Sequence, residues 1–214
     1  MIISHEKKFI FIHNYKVAGS SVTKVLSKYA DDSYADARLL NKILYSIGKY
    51  PKIYNSEFYG HIKACELKRQ IPEAVFNTYY KFGFVRNPWD WQVSLYTYAL
   101  KVESHHQHQL IKGMKSFEEY IDWRINKEIR FQKDFFYDEN GKCLMDFIGK
   151  IENLDADFDS ICNHIGIQET LPHINISKTG KSYLDYYTPN AIDLVNEAFK
   201  ADIELFGYAK PQIG

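Results

Sequence analysis

Apolar positions fall at two spacings along this chain, and the switches between them mark its elements. Phe9-Ile10-Phe11-Ile12 is an unbroken apolar run, which predicts a strand over about 8–13. After a short turn, Val22, Val25, Leu26 and Tyr29 recur at helical spacing and predict a helix over about 20–29. A polar, tyrosine-rich stretch fills 30–55, with a candidate helix at 37–44. Residues 57–61 predict a short second strand; Ala64, Leu67, Lys68 and Ile71 predict a helix that Pro72 breaks or restarts. Residues 79–85, rich in aromatics and ending in Val85, predict a third strand closed by Arg86-Asn87-Pro88. Pro88 suits the first turn of a helix that reaches about Leu100, with Trp89, Val93, Tyr96 and Leu100 on one face.

The second half repeats these signals less regularly. A polar loop covers 103–109, and Ser116 caps a helix to about Ile125 with Glu119 at the capping-box position. Residues 131–138 and 142–151 flank Glu139-Asn140-Gly141, a hairpin signal. Asn153 or Asp155 opens a helix that buries Phe158, Ile161, Cys162 and Ile165 and stops at Gly166. A loop follows over 171–182. Thr188-Pro189 opens the last helix, with an apolar stripe of Ile192, Val195, Phe199 and Phe206 before Gly207.

Strands alternating with helices predict an α/β fold with a central parallel sheet flanked by helices. With no linker or repeat in the pattern, one domain over 1–214 is expected. Ligands of such sheets sit beyond the carboxyl ends of the strands. Lys16, His61 and Arg86 each follow or end a predicted strand there, so they are the candidate site residues.

Charge and composition narrow the function. Lys+Arg and Asp+Glu both number 27, which argues against a general nucleic-acid or membrane-surface binder. Cys65, Cys143 and Cys162 are far apart and form no CxxC pair, so neither a disulfide framework nor a zinc site is expected. No apolar run approaches the roughly 20 residues of a membrane span and no signal-peptide layout opens the chain. A cytoplasmic protein with no metal, nucleic-acid or membrane partner is the expectation. His105, His106 and His108 sit in a Gln/Ser context without a metal-ligand spacing, so a solvated or acceptor-facing loop is expected there rather than a metal site.

The segment Tyr15-Lys16-Val17-Ala18-Gly19-Ser20-Ser21 joins a strand to a helix, the layout of a phosphate cradle. In the ATP-binding loop G-x-x-x-x-G-K-[ST] the lysine directly follows the last glycine. Here Lys16 precedes Gly19 by three residues and no Mg²⁺-binding partner segment is evident, so the chemistry should differ from that of an ATPase. The alternative is a plain helix cap beside a solvated turn lysine.

The run Phe82-Gly83-Phe84-Val85-Arg86-Asn87-Pro88 with Ser94 and Tyr96 resembles the second cofactor signature of sulfotransferases, F-x-F-V-R-[ND]-P…S-x-Y. The 15–21 loop is similar to their first signature, and 146–154 and 171–177 also look like segments of this group, closest to its carbohydrate-type members. The resemblance implies a P-loop-NTPase-like sulfotransferase fold and a metal-free donor, 3′-phosphoadenosine 5′-phosphosulfate (PAPS), with 3′-phosphoadenosine 5′-phosphate (PAP) as product. It implies that Lys16, Val17, Ala18, Gly19, Ser20 and Ser21 hold the 5′-phosphosulfate, and that Arg86 and Ser94 hold the 3′-phosphate. A late basic loop with Lys178 and Lys181 would close over the cofactor. Trp91 stands where many members carry arginine.

For the chemistry, Lys16 is the candidate for stabilising the leaving phosphate and His61 for the general base, with Glu57 and Glu66 in reserve. The expected reaction is sulfonate transfer to a hydroxyl acceptor, a carbohydrate first. A nucleotide-dependent kinase and a non-catalytic nucleotide-binding module are the competing readings.

Overall fold

The computed structural model describes residues 1–30, 60–172 and 182–212. The candidate helix at 37–44, Glu57, Phe58, Tyr59, Lys178 and Lys181 lie outside them. The described residues group into two compact units: Met1–Val85 with Asp134–Ile176, and Arg86–Lys133 with Ser177–Gly214.

The first unit holds a four-stranded sheet in the order β1 (Ile2–Ser4), β2 (Phe9–Ile12), β3 (Tyr80–Val85), β4 (Phe147–Lys150). Strands β2, β3 and β4 run parallel, as the alternation of elements predicts. β1 was not anticipated: it pairs antiparallel to β2, Ser4 opposite Phe9. Three residues are too few to show a period, and only pairing to β2 makes them a strand. All four residues of β2 are buried, which explains the unbroken apolar run. Phe9 and Phe11 of β2 and Phe82 and Phe84 of β3 form one core with Val22, Val25 and Leu26 of α1 (Gly19–Leu26). Phe158, Ile161, Cys162 and Ile165 of α7 (Leu154–Ile165) complete it, and Gly166 stops that helix at φ 69°. Between α1 and β3 lie α2 (Ala64–Lys68) and α3 (Glu73–Thr78), separated at Pro72. Gly83 of β3 is required by close approach: a Cβ there would sit 2.5 Å from Phe136 Cε1 and 2.9 Å from the Ile12 carbonyl.

Two expectations are corrected in this unit. Gly60 and His61 form a turn, so His61 does not end a strand. The Glu139-Asn140-Gly141 turn forms, with Asp138 Oδ1 accepting the Asn140 and Lys142 N–H groups at 3.0 and 2.9 Å. The hairpin does not extend beyond a bridge between Tyr137 and Cys143. Asp146 N–H reaches the Lys81 carbonyl at 2.8 Å, and the chain becomes the parallel strand β4. A local turn signal cannot compete with a buried ladder offering four paired positions along β3.

The second unit is helical: α4 (Pro88–Lys101), α5 (His108–Lys112), α6 (Phe117–Lys127), α8 (Pro189–Ala198) and α9 (Lys200–Leu205). Its interior is aromatic. Trp89 Nε1 donates to the Ile192 carbonyl at 3.2 Å, Tyr187 Oη donates to the Trp89 carbonyl at 2.8 Å, and Phe117 packs edge-on to Tyr187. Burial raises the Tyr187 pKa well above its usual value, so this hydroxyl stays a donor. Asn87, Ser116 and Thr188 cap α4, α6 and α8, the last two at the helix starts that the sequence predicts. The expected single last helix is instead two, broken at Phe199, whose carbonyl accepts the Asp202 N–H at 3.0 Å.

Candidate functional site

The loop after β2 is set by one buried anchor between two unusual backbone positions. Val17 is fully buried in the core under α1. Lys16 and Ala18 on either side have φ of 58° and 57°. Left-handed backbone costs an L-residue roughly 1–2 kcal/mol, so the surrounding packing must hold it. Asn14, also fully buried, fixes the approach: its Oδ1 accepts the Tyr15 N–H at 2.6 Å.

Ala18 then opens α1. Its carbonyl accepts the Ser21 and Val22 N–H groups at 3.0 and 3.2 Å, but it has no side chain with which to cap, and no acidic residue occupies the first turn. This sets α1 apart from α4, α6 and α8, each capped by a side-chain oxygen. The first N–H groups of a helix have no intrahelical acceptor and carry the positive end of its dipole. Such a helix start can receive an anion, though α3, α5, α7 and α9 also begin without a side-chain cap bond. The expected residues Lys16, Val17, Ala18, Gly19, Ser20 and Ser21 make up this turn; Val17 offers it only backbone.

Gly19 is glycine for a reason of space. A Cβ there would fall inside the His13 imidazole. His13 stacks on Phe11 at 5.7 Å between ring centroids, and burial, with His61 nearby, pushes its pKa down to about 3. It is a neutral packing residue under the loop, just past the end of β2.

His61 joins the same cluster. Its ring lies 4.0 Å from that of Tyr15 and 4.5 Å from that of His13. Nδ1–H donates to the His13 carbonyl at 2.9 Å. That bond selects the tautomer with a lone pair on Nε2, the form a base needs. Burial lowers the His61 pKa and the bond to the carbonyl only partly opposes it, so the ring is neutral at pH 7. Glu66, the reserve base, is exposed, and its carboxylate accepts the Lys63 N–H at 3.4 Å at the start of α2. Two cavities of this unit, of about 510 and 300 Å³, are lined by Cys162 and Glu169 and by Cys65 and Glu139, and neither is lined by Lys16 or His61.

In the second unit, Arg86 is held at both ends. Asp90 accepts from its Nε and Nη2 at 2.6 and 2.8 Å. Gln132 Oε1 accepts its N–H at 2.9 Å, and Gln132 Nε2 donates to its carbonyl at 2.7 Å. Ser94 is half-buried on α4, one helical turn beyond Asp90 and on the same face. Trp91 is fully buried, a core position. The histidine loop separates: His105 Nδ1 accepts the Gln107 N–H at 3.2 Å, whereas His108 is buried and its Nδ1 donates to the Ala99 carbonyl at 2.9 Å. His108 is thus a core histidine rather than part of a solvated loop. Among the described residues no cluster of three or more His, Cys, Asp or Glu could hold a metal ion, and no helix is long and apolar enough to cross a membrane.

Comparison with known proteins places the chain. It is 30% identical over 107 residues to an uncharacterized protein of Archaeoglobus fulgidus, a match that covers 49% of this chain and 82% of that one. The model of the sulfotransferase family matches residues 1–209, through both units and through the loop and Arg86 segments described above. The chain belongs to the sulfotransferase family.

Proposed function

We propose that the protein moves the sulfonate of PAPS to a hydroxyl acceptor, a carbohydrate being the class its sequence resembles most. The observation that carries this reading is the uncapped start of α1, preceded by the left-handed Lys16 and Ala18. Its N–H groups and Lys16 suit the 5′-phosphosulfate, and a guanidinium with five N–H groups can serve a carboxylate and the 3′-phosphate together.

In the reaction the acceptor oxygen forms a bond to sulfur as the bond from sulfur to the bridging phosphate oxygen breaks. The hydroxyl proton passes to His61 Nε2. The electron pair of the broken bond stays on the 5′-phosphate of PAP, where Lys16 offsets the growing negative charge. Positioning and fixed charge supply the acceleration, as in phosphoryl transfer. A neutral His61 locked in one tautomer meets the first demand at pH 7.

Lys16→Met keeps the length of the side chain and removes the charge. Transfer of labelled sulfonate from PAPS to a panel of glycans and other alcohols is expected to fall about 100-fold, with the variant folded as wild type. A variant that turns over at the wild-type rate would show that Lys16 does not carry the leaving-group charge.

A further inference from the structure

Arg86 follows the end of the β3 ladder, whose last pair is Val85 with Lys150. Its peptide groups need partners that the sheet does not supply. Gln132 supplies both: one amide accepts the Arg86 N–H and donates to the Arg86 carbonyl, at 2.9 and 2.7 Å. The glutamine is itself fully buried. Its backbone N–H donates to Asp202 Oδ2 at 2.7 Å and the Lys133 N–H donates to Asp202 Oδ1 at 3.0 Å. Asp202 on α9 is likewise fully buried. A buried carboxylate is retained only when bonded, and these two bonds aim it at residues 132–133.

On the other side of Arg86, Asn87 Oδ1 accepts the N–H groups of Trp89 and Asp90, which fixes the start of α4. Asp90 then holds the guanidinium by two bonds. The backbone and the side-chain plane of Arg86 are each fixed twice. A tie between residues 131–133 and α9 alone would need Asp202 but not an amide clasping residue 86 in both directions. The clasp falls on the one residue whose planar fork must be aimed at an anion, and such a fork tolerates little error in orientation.

We infer that Gln132 and Asp202 are positioning residues that set Arg86 for the 3′-phosphate of the donor. This rests on the donor reading given above. Gln132 grips Arg86, and Asp202 grips the peptide that carries Gln132. Neither touches the donor.

The test is calorimetric binding of PAP and of adenosine 5′-phosphate, which lacks the 3′-phosphate. It uses the full chain and the variants Arg86→Ala, Gln132→Leu, Gln132→Glu and Asp202→Asn. Wild type is expected to prefer PAP by on the order of 100-fold, and Arg86→Ala to lose most of that preference. Gln132→Leu and Asp202→Asn are expected to weaken PAP about tenfold and adenosine 5′-phosphate less than about twofold. Gln132→Glu is nearly isosteric, keeps the acceptor for the Arg86 N–H and sets a carboxylate against the Arg86 carbonyl. It should show the same selective loss, and it decides the matter if the leucine variant does not fold. Folded Gln132 variants that keep the wild-type ratio, or that weaken both ligands equally, overturn the positioning role and leave the donor reading standing. A wild type that binds PAP no tighter than adenosine 5′-phosphate overturns the donor reading and the positioning role with it.

Discussion

His61→Ala is expected to lower kcat/KM for sulfonate transfer by about 10³-fold, within the range for loss of a general base, while PAP affinity changes less than about threefold. The protonation state of His61 sets this expectation. The Nδ1–H bond to the His13 carbonyl leaves the lone pair on Nε2, and burial keeps the ring unprotonated at neutral pH. The pH profile carries the sign. Because the pKa is depressed, the wild-type rate should be flat from pH 8 down through the ordinary histidine value of 6.5. It should then fall tenfold per pH unit below the depressed value, as His61 takes a proton from water instead of the acceptor. That acid limb should vanish in His61→Ala. A limb that persists, centred in the carboxylate range, would move the role to Glu57 or Glu66.

Gly19→Ala is expected to destabilise the protein by about 3 kcal/mol, the upper range for overpacking, and to lower PAP affinity more than about tenfold. The added methyl falls inside the His13 ring, so either the start of α1 shifts or His13 leaves its stack on Phe11. Both routes disturb the turn proposed to hold the phosphosulfate, and the second also moves the carbonyl that orients His61. The cause can be isolated by a cycle with His13→Ala. Removing the ring should return most of the lost stability, a coupling of neighbours that independent sites do not show. Urea unfolding of the four proteins measures it; Gly19→Ala as stable as wild type would contradict the packing described.

The parts of the fold legible in the sequence are those whose signal is local. The Phe9–Ile12 run, the helical spacing of Val22, Val25 and Leu26, and Pro88 in the first turn of α4 each state their element within a few residues. β1 and β4 are different, since each is a strand only because a partner distant in sequence pairs with it. The Glu139-Asn140-Gly141 turn was legible for the same reason that the hairpin was misleading: turn chemistry is local and strand pairing is not.

The site divides in the same way. Lys16, Gly19 and Arg86 show themselves by their place at strand ends. His61 lies beside the loop in a turn rather than at the end of a strand, and its role there is part of the proposal. The residues that hold them were silent: Gln132 reaches Arg86 across 46 positions and Asp202 reaches Gln132 across 70. A glutamine between Phe131 and Lys133 carries no pattern of its own. His13 had a usable signal, a polar residue closing a buried strand two positions before the loop turns.

On the proposed function the protein binds a 3′-phosphoadenosine donor rather than a nucleoside triphosphate with Mg²⁺. Thermal unfolding with PAP, with ATP and with ATP–Mg²⁺ tests it most directly, since a ligand that binds only the native state raises the midpoint with its concentration. The prediction is a midpoint that climbs with PAP without added metal and that ATP–Mg²⁺ leaves nearly unchanged. A rise with ATP–Mg²⁺ and none with PAP would contradict it.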